Sequence, residues 1–117
     1  MISADVRATL AAIVLAHSQK RLVTAIYDYD VGAYRNIRAN FKDDALDAYD
    51  SVRVAKVSGT LPDLFDHVMG SYYHLKQHAD RYIGFDHYSG THFQVVLTDK
   101  IAALYDYDSA EWSQYSA

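Results

Sequence analysis

Three short stretches of this chain set an aromatic residue beside an aspartate, pass through a turn and return to another aromatic. They are Tyr27-Asp28-Tyr29-Asp30-Val31-Gly32-Ala33-Tyr34, Phe85-Asp86-His87-Tyr88-Ser89-Gly90-Thr91-His92-Phe93 and Tyr105-Asp106-Tyr107-Asp108-Ser109-Ala110-Glu111-Trp112. Alternate side chains of an extended chain point to opposite sides, so each stretch predicts a β-hairpin with rings on one face and carboxylates on the other. The expected orientation packs the rings of Tyr27 and Tyr105 inside and leaves the acids in water. Ala25 and Tyr27 to Asp30 match Ala103 and Tyr105 to Asp108 in order, but nothing longer recurs. Independent reuse of good hairpin residues explains the match as well as duplication does.

At 117 residues, half of them hydrophobic and with only five Gly and one Pro, the chain reads as one folded domain over 1–117 with a real core. The absence of cysteine excludes disulfides, thiolate metal sites and cysteine nucleophiles, and fits a cytoplasmic location. Glu111 is the only Glu among 15 acidic residues, a bias toward Asp that suits turns and caps. A net charge of −4 with scattered Lys and Arg argues against nucleic acid as a partner. No apolar run is long enough to span a membrane. The apolar stretch from Ala8 to Ala16, preceded by Asp5 and one cation, Arg7, makes a poor export signal.

Ser3 as a cap, Asp5 in the first turn and the spacing of Val6, Leu10, Ile13 and His17 predict an amphipathic helix over about 4–19. Leu22 to Tyr29 and Ala33 to Arg38 read as paired strands, 39–51 as a loop, and Ser51 to Val57 as a short strand. Thr60, Pro62 and Asp63 carry helix-start chemistry, and Leu61, Leu64, Phe65, Val68, Tyr72, Leu75 and Ala79 fall on one stripe. A second helix over 61–79 is expected. Tyr82 to His87, Thr91 to Thr98 and Ile101 to Tyr107 complete a meander, with Trp112 to Tyr115 as a last short strand. These elements predict an α+β fold: a twisted antiparallel sheet of five to seven strands with two helices on one face. The alternative is a small, partly closed β-barrel with helices.

On the helical reading of 61–79, His67, His74 and His78 share an edge. His74 and His78, four apart, have the spacing for one divalent transition metal, with His87 or His92 as a third ligand. A solvated helix border gives the same pattern. Asp28 to Gly32 resembles the start of a calcium loop, but the position for the bidentate Glu holds Ala39. The pairs Asp28/Asp30 and Asp106/Asp108 have carboxylates spaced as in a glycosidase, yet neither pair sits in an apolar stretch that would raise a pKa. No serine-nucleophile or glycine-rich phosphate motif occurs. What stands out is 11 tyrosines interleaved with Asp. Tyr gives a large, stiff contact surface at small entropic cost. Tyr29, Asp30, Tyr34, Tyr88, Tyr107, Asp108 and Trp112 are therefore the candidate binding residues. The expected function is a small non-catalytic interaction protein, inhibitor- or immunity-like, that meets a protein partner or a second copy of itself. A metal-binding protein or metal-dependent enzyme using the histidine pair is the alternative.

Overall fold

The computed structural model describes residues 1–117 and is a nearly closed antiparallel barrel threaded by one helix. The elements in chain order are α1 (Ala4–Gln19), β1 (Ile26–Asp28), β2 (Ala33–Arg35), β3 (Ile37–Lys42), β4 (Ala45–Asp50), β5 (Ala55–Thr60), β6 (Asp63–Asp66), β7 (Ser71–His78), β8 (Arg81–Asp86), β9 (Thr91–Thr98), β10 (Ile101–Asp106) and β11 (Glu111–Ser116). The sheet order runs β2-β1-β11-β10-β9-β8-β7-β6-β5-β4-β3. Its two ends, β2 and β3, are separated only by Asn36, so one stretch of chain pairs with β1 through its first half and with β4 through its second. Val23 and Ala39 exchange both backbone hydrogen bonds across this seam (3.0 and 2.8 Å). Closure of this kind leaves little free strand edge.

This architecture corrects the expected sheet of five to seven strands with two helices. The partly closed barrel fits, although it holds one helix. The segment 61–79 forms β6 and β7, because its neighbours β5 and β8 pair with it on both sides. Leu64, Asp66, Tyr73 and Leu75 point inward with strand alternation, whereas Val68 and Tyr72 are exposed. Pro62 lies in the two-residue turn between β5 and β6 and Gly70 in the turn after β6. A helix would have carried that Gly in its interior at a cost of about 1 kcal/mol. The expected loop over 39–51 contains most of β3 and β4. The strand expected from Ser51 begins only at Ala55, after a turn.

Helix α1 has the expected bounds, but it is not amphipathic. Val6 to Ala16 are all buried. A helix apolar all round belongs in an interior, and Ala8, Ala11, Ala12 and Ala16 keep this one slender enough for the barrel axis. Its side chains pack on the inward faces of the wall, including Ile26, Leu64, Tyr73, Leu75, Tyr82, Phe93, Val95, Leu104 and Tyr115. Gly84 makes room for Phe93: a Cβ there would lie 2.3 Å from the Phe93 ring and 2.6 Å from the His74 carbonyl oxygen.

The two ends of the barrel are turned differently. At the end of the helix C-terminus, two-residue turns at 43–44, 61–62, 79–80 and 99–100 join the strands. At the end of the helix N-terminus, five four-residue turns each follow a buried aspartate: Asp28, Asp50, Asp66, Asp86 and Asp106. In every one, Oδ1 accepts a hydrogen bond from the turn's own backbone, such as the N–H of Asp30 (2.9 Å), Val52 (2.9 Å), Val68 (3.0 Å), Tyr88 (3.1 Å) or Asp108 (2.8 Å). The residue four after each Asp has positive φ: Gly32, Val54, Gly70, Gly90 and Ala110. Glycine tolerates that conformation freely, whereas the β-branched Val54 is strained there.

The second carboxylate oxygen of each Asp takes a further partner. Asp106 Oδ2 accepts from the Ile2 N–H (2.8 Å) and Arg7 Nη2 (2.9 Å). Asp28 Oδ2 accepts from Arg35 Nε (2.7 Å), and Asp50 Oδ2 from Thr9 Oγ1 (2.9 Å) and Arg53 Nε (3.0 Å). Asp66 accepts a short hydrogen bond from the Tyr73 hydroxyl. Arg53 Nη1 lies 2.9 Å from Asp66 Oδ2 but is not aligned for a hydrogen bond, so that contact is ionic only. Asp86 meets no arginine; its Oδ2 accepts from Ser89 Oγ (2.7 Å). Removing one member of a buried ion pair strands the other, at about 3–5 kcal/mol, whereas losing a hydrogen bond without stranding a charge costs about 1 kcal/mol. Asp106→Asn should therefore lower the urea midpoint about three times as far as Asp86→Asn. Equal shifts would contradict the different roles assigned to Arg7 and Ser89.

Candidate functional site

The hairpin ends carry the candidate site on their outer face, and the alternation that builds it is opposite to the expected one. Because each Asp points inward, the residue before it points outward. Tyr27, Tyr49, Phe65, Phe85 and Tyr105 occupy that outward position in the five hairpins. Tyr27 and Tyr105 therefore lie on the outer wall, not in the core, and Asp28, Asp86 and Asp106 are dry, not hydrated. The cause is the interior itself. The helix fills the apolar space, while turn N–H groups and Arg7, Arg35 and Arg53 supply the partners a buried carboxylate requires.

In four hairpins the outward ring is the centre of an aromatic trio. Tyr27 contacts Tyr29 and Tyr34 (ring centroids 4.9 and 5.1 Å apart), and Tyr105 contacts Tyr107 and Trp112 (5.0 and 4.9 Å). Phe85 contacts His87 and His92 (4.9 and 4.6 Å), and Phe65 contacts His67 and Tyr72 (5.0 and 4.9 Å). The fifth hairpin sets Tyr49 across from Lys56, without a trio. One flanking ring is always the cross-strand partner of the central one, as in Tyr27↔Tyr34 and Tyr105↔Trp112. Such pairs stabilise a hairpin by about 0.2–1 kcal/mol. They also leave the flanking rings open to solvent: Tyr34 is 74% exposed, Tyr107 55% and Trp112 50%.

All seven sequence-derived binding residues reach this rim. Tyr29, Tyr34, Tyr107 and Trp112 belong to trios, and Asp30, Tyr88 and Asp108 stand at turn tips, all exposed. Sequence reasoning missed Tyr27, Phe65, Tyr72, Phe85, His87, His92 and Tyr105. The signal was available: an aromatic precedes each of the five aspartates, and the flanking rings fall one and six residues after the Asp. Tyr73 and Tyr115 take inward strand positions and are fully buried.

The rim end is acidic. Asp5, Asp28, Asp30, Asp50, Asp66, Asp86, Asp106, Asp108 and Glu111 lie there, against Arg7, Arg35, Arg53 and Lys56. The three arginines are themselves taken up inside by aspartates. The opposite end carries most of the remaining Lys and Arg.

The other chemistries do not assemble. His74 and His78 lie on strand β7, where residues four apart are about 13 Å from one another, too far to share an ion. His74 Nδ1 instead meets Asp63 Oδ1 (3.2 Å), and His67 in a turn meets Ser58 Oγ (3.0 Å). No group of three or more His, Asp or Glu side chains is placed to hold a metal ion. The carboxylate pairs are split, with Asp28 and Asp106 inside and Asp30 and Asp108 outside. At the other end of the barrel a recess of about 520 Å³ surrounds His17. There His17 Nδ1 lies 2.6 Å from the Tyr82 hydroxyl and Nε2 lies 3.2 Å from Asp44. Burial, aided by Asp44, pushes Tyr82 up to about 12, so its phenol is protonated at neutral pH.

No family model matches this chain, and comparison with curated proteins and with solved structures finds no similar protein. No helix is long and apolar enough to cross a membrane.

Burial would raise Asp66, but the Tyr73 hydroxyl, the Met69 N–H and Arg53 outweigh it and hold the carboxyl below the ordinary range. Asp106 is likewise held low against burial, by the Ser109, Ile2 and Asp108 N–H groups and Arg7. A general acid needs the opposite shift. Burial, then Asp28, lifts Tyr115 to about 12. Carboxyls with depressed folded values contribute stability that is present above the unfolded value of about 3.9 and lost as pH falls below it. Tyrosines with raised values contribute stability that is present below about 10 and lost between there and about 12. Thermal midpoints should thus fall below about pH 4 and again above about pH 10. The part of the 295 nm absorbance rise that belongs to the buried Tyr82 and Tyr115 should appear cooperatively with alkaline unfolding. Complete tyrosine ionisation in a still-folded protein would contradict this placement.

Proposed function

We propose that this protein is a small non-catalytic binding module that presents its acidic, aromatic barrel rim to a protein partner. The observation that carries the reading is the four neighbouring aromatic trios, whose flanking rings stay open to water although the barrel is already closed and filled. Large exposed aromatic patches of this kind mark interaction surfaces, and Tyr and Trp are the residues interfaces favour. Depressed carboxyl values and a protonated buried Tyr82 support a scaffold role for the buried polar groups. An acidic rim suits neutralisation of a basic protein, as an inhibitor or immunity factor performs it, and a cysteine-free chain suits the cytoplasm.

The test is a pull-down from the source cell with the native chain and with a variant carrying Tyr29→Ala, Tyr88→Ala and Tyr107→Ala. All three side chains are exposed, so thermal midpoints should agree within a few degrees. Partners retained by the native chain should be lost by the variant, and light scattering should report whether one of them is a second copy. An identical captured set, with a monomer at every concentration, would overturn the reading.

A further inference from the structure

We infer that the rim segment formed by the hairpins β1–β2 and β10–β11 receives an arginine-rich segment of the partner. This rests on the proposed function and names the chemistry of its ligand. The two hairpins are neighbours, because β1 pairs with β11. They alone combine trios built only from Tyr and Trp with acidic turn tips. At the second position after the turn aspartate they carry Asp30 and Asp108, where the other three hairpins carry Val52, Val68 and Tyr88. Glu111, across from Asp106, adds an exposed carboxylate at this end of the barrel, on the opposite face of β11 from Trp112. The two remaining trios contain histidines and have no acid at their tips. Aromatic faces and carboxylates are thus confined together to one side of the rim.

No internal cation is free to neutralise this patch. Arg35 holds Asp28 (2.7 Å) and Asp5 (2.6 Å), and Arg7 holds Asp106 (2.9 Å). Asp108 meets the Met1 amine (2.6 Å), but both groups are more than half exposed, so water or an incoming cation can replace that contact. A ring face attracts a cation through its quadrupole. A guanidinium fits better than an ammonium, since its plane stacks on a ring while its fork of donors reaches a carboxylate. Tyr29, Tyr34, Tyr107 and Trp112 offer the faces, and Asp30 and Asp108 the carboxylates.

Trp112 is the only tryptophan, so its emission reports on this patch directly. The experiment is a fluorescence titration of the full chain at about 150 mM salt, where exposed charge alone is strongly screened, with capped nona-arginine and nona-lysine peptides. Nona-arginine should bind saturably and at least tenfold more tightly than nona-lysine. The Tyr29→Ser/Tyr107→Ser variant should lose at least tenfold, as should Asp30→Asn/Asp108→Asn, while Tyr72→Ser in the distant trio should bind as the native chain does. Equal affinity for the two peptides, equal damage from Tyr72→Ser, or no binding would overturn the inference. So would binding of a neutral cello-oligosaccharide in place of the peptides. If peptides fail while the rim variant still loses captured partners, the arginine assignment falls and the proposed function stands.

Discussion

Each hairpin of the barrel ends on an inward-facing carboxylate that satisfies the N–H groups of its own turn. That interaction determines the rest. An aspartate at the last inward position of a strand fixes which parity faces the core, since a slip of one residue would exchange the two faces. Burying an ionised carboxylate costs several kcal/mol unless it is fully partnered. The partners come from the turn backbone, from Arg7, Arg35 and Arg53, and from the first residues of the axial helix, whose positive dipole end faces the five acids. Helix and barrel thereby explain each other: the helix supplies the apolar filling, and the ring of acids fixes its N-terminal end.

The same parity places the aromatics outside. A ring that precedes an inward Asp has no route to the core, so the tyrosines that composition alone assigns to packing become a surface feature. Cross-strand contacts account for part of their presence. They do not account for the second flanking ring of each trio, nor for acids at the tips of only the two Tyr/Trp hairpins. Stability therefore draws on the inward face of these strands, while the recognition proposed for the rim would draw on the outward face.

Much of this was legible in residue order. The bounds of α1 and the strands β8 to β10 follow from cap chemistry and strand alternation. The direction of alternation in the Tyr-Asp segments was not, because local pattern says that rings and acids part company and not which side meets the core. That choice involves residues outside the local pattern, Arg7 on the helix and Arg35 on the paired strand β2. Between residues 61 and 79 a helical stripe and a strand alternation coexist in one string, and pairing with β5 and β8 decides for strand. The candidate rim was half legible: exposed tips were recognised, whereas the central rings were assigned to the core. Reading the aromatic-Asp pair at all five positions, 28, 50, 66, 86 and 106, would have exposed the shared turn.

The central claim is that these five aspartates are sequestered while those at the tips are wet. Carboxyl footprinting of the native protein by carbodiimide coupling, read by mass spectrometry, tests it residue by residue. Asp30, Asp80 and Asp108 should label readily, and Asp28, Asp50, Asp66, Asp86 and Asp106 should label only after denaturation. Labelling of those five in the folded protein at the rate of Asp30 would contradict the account.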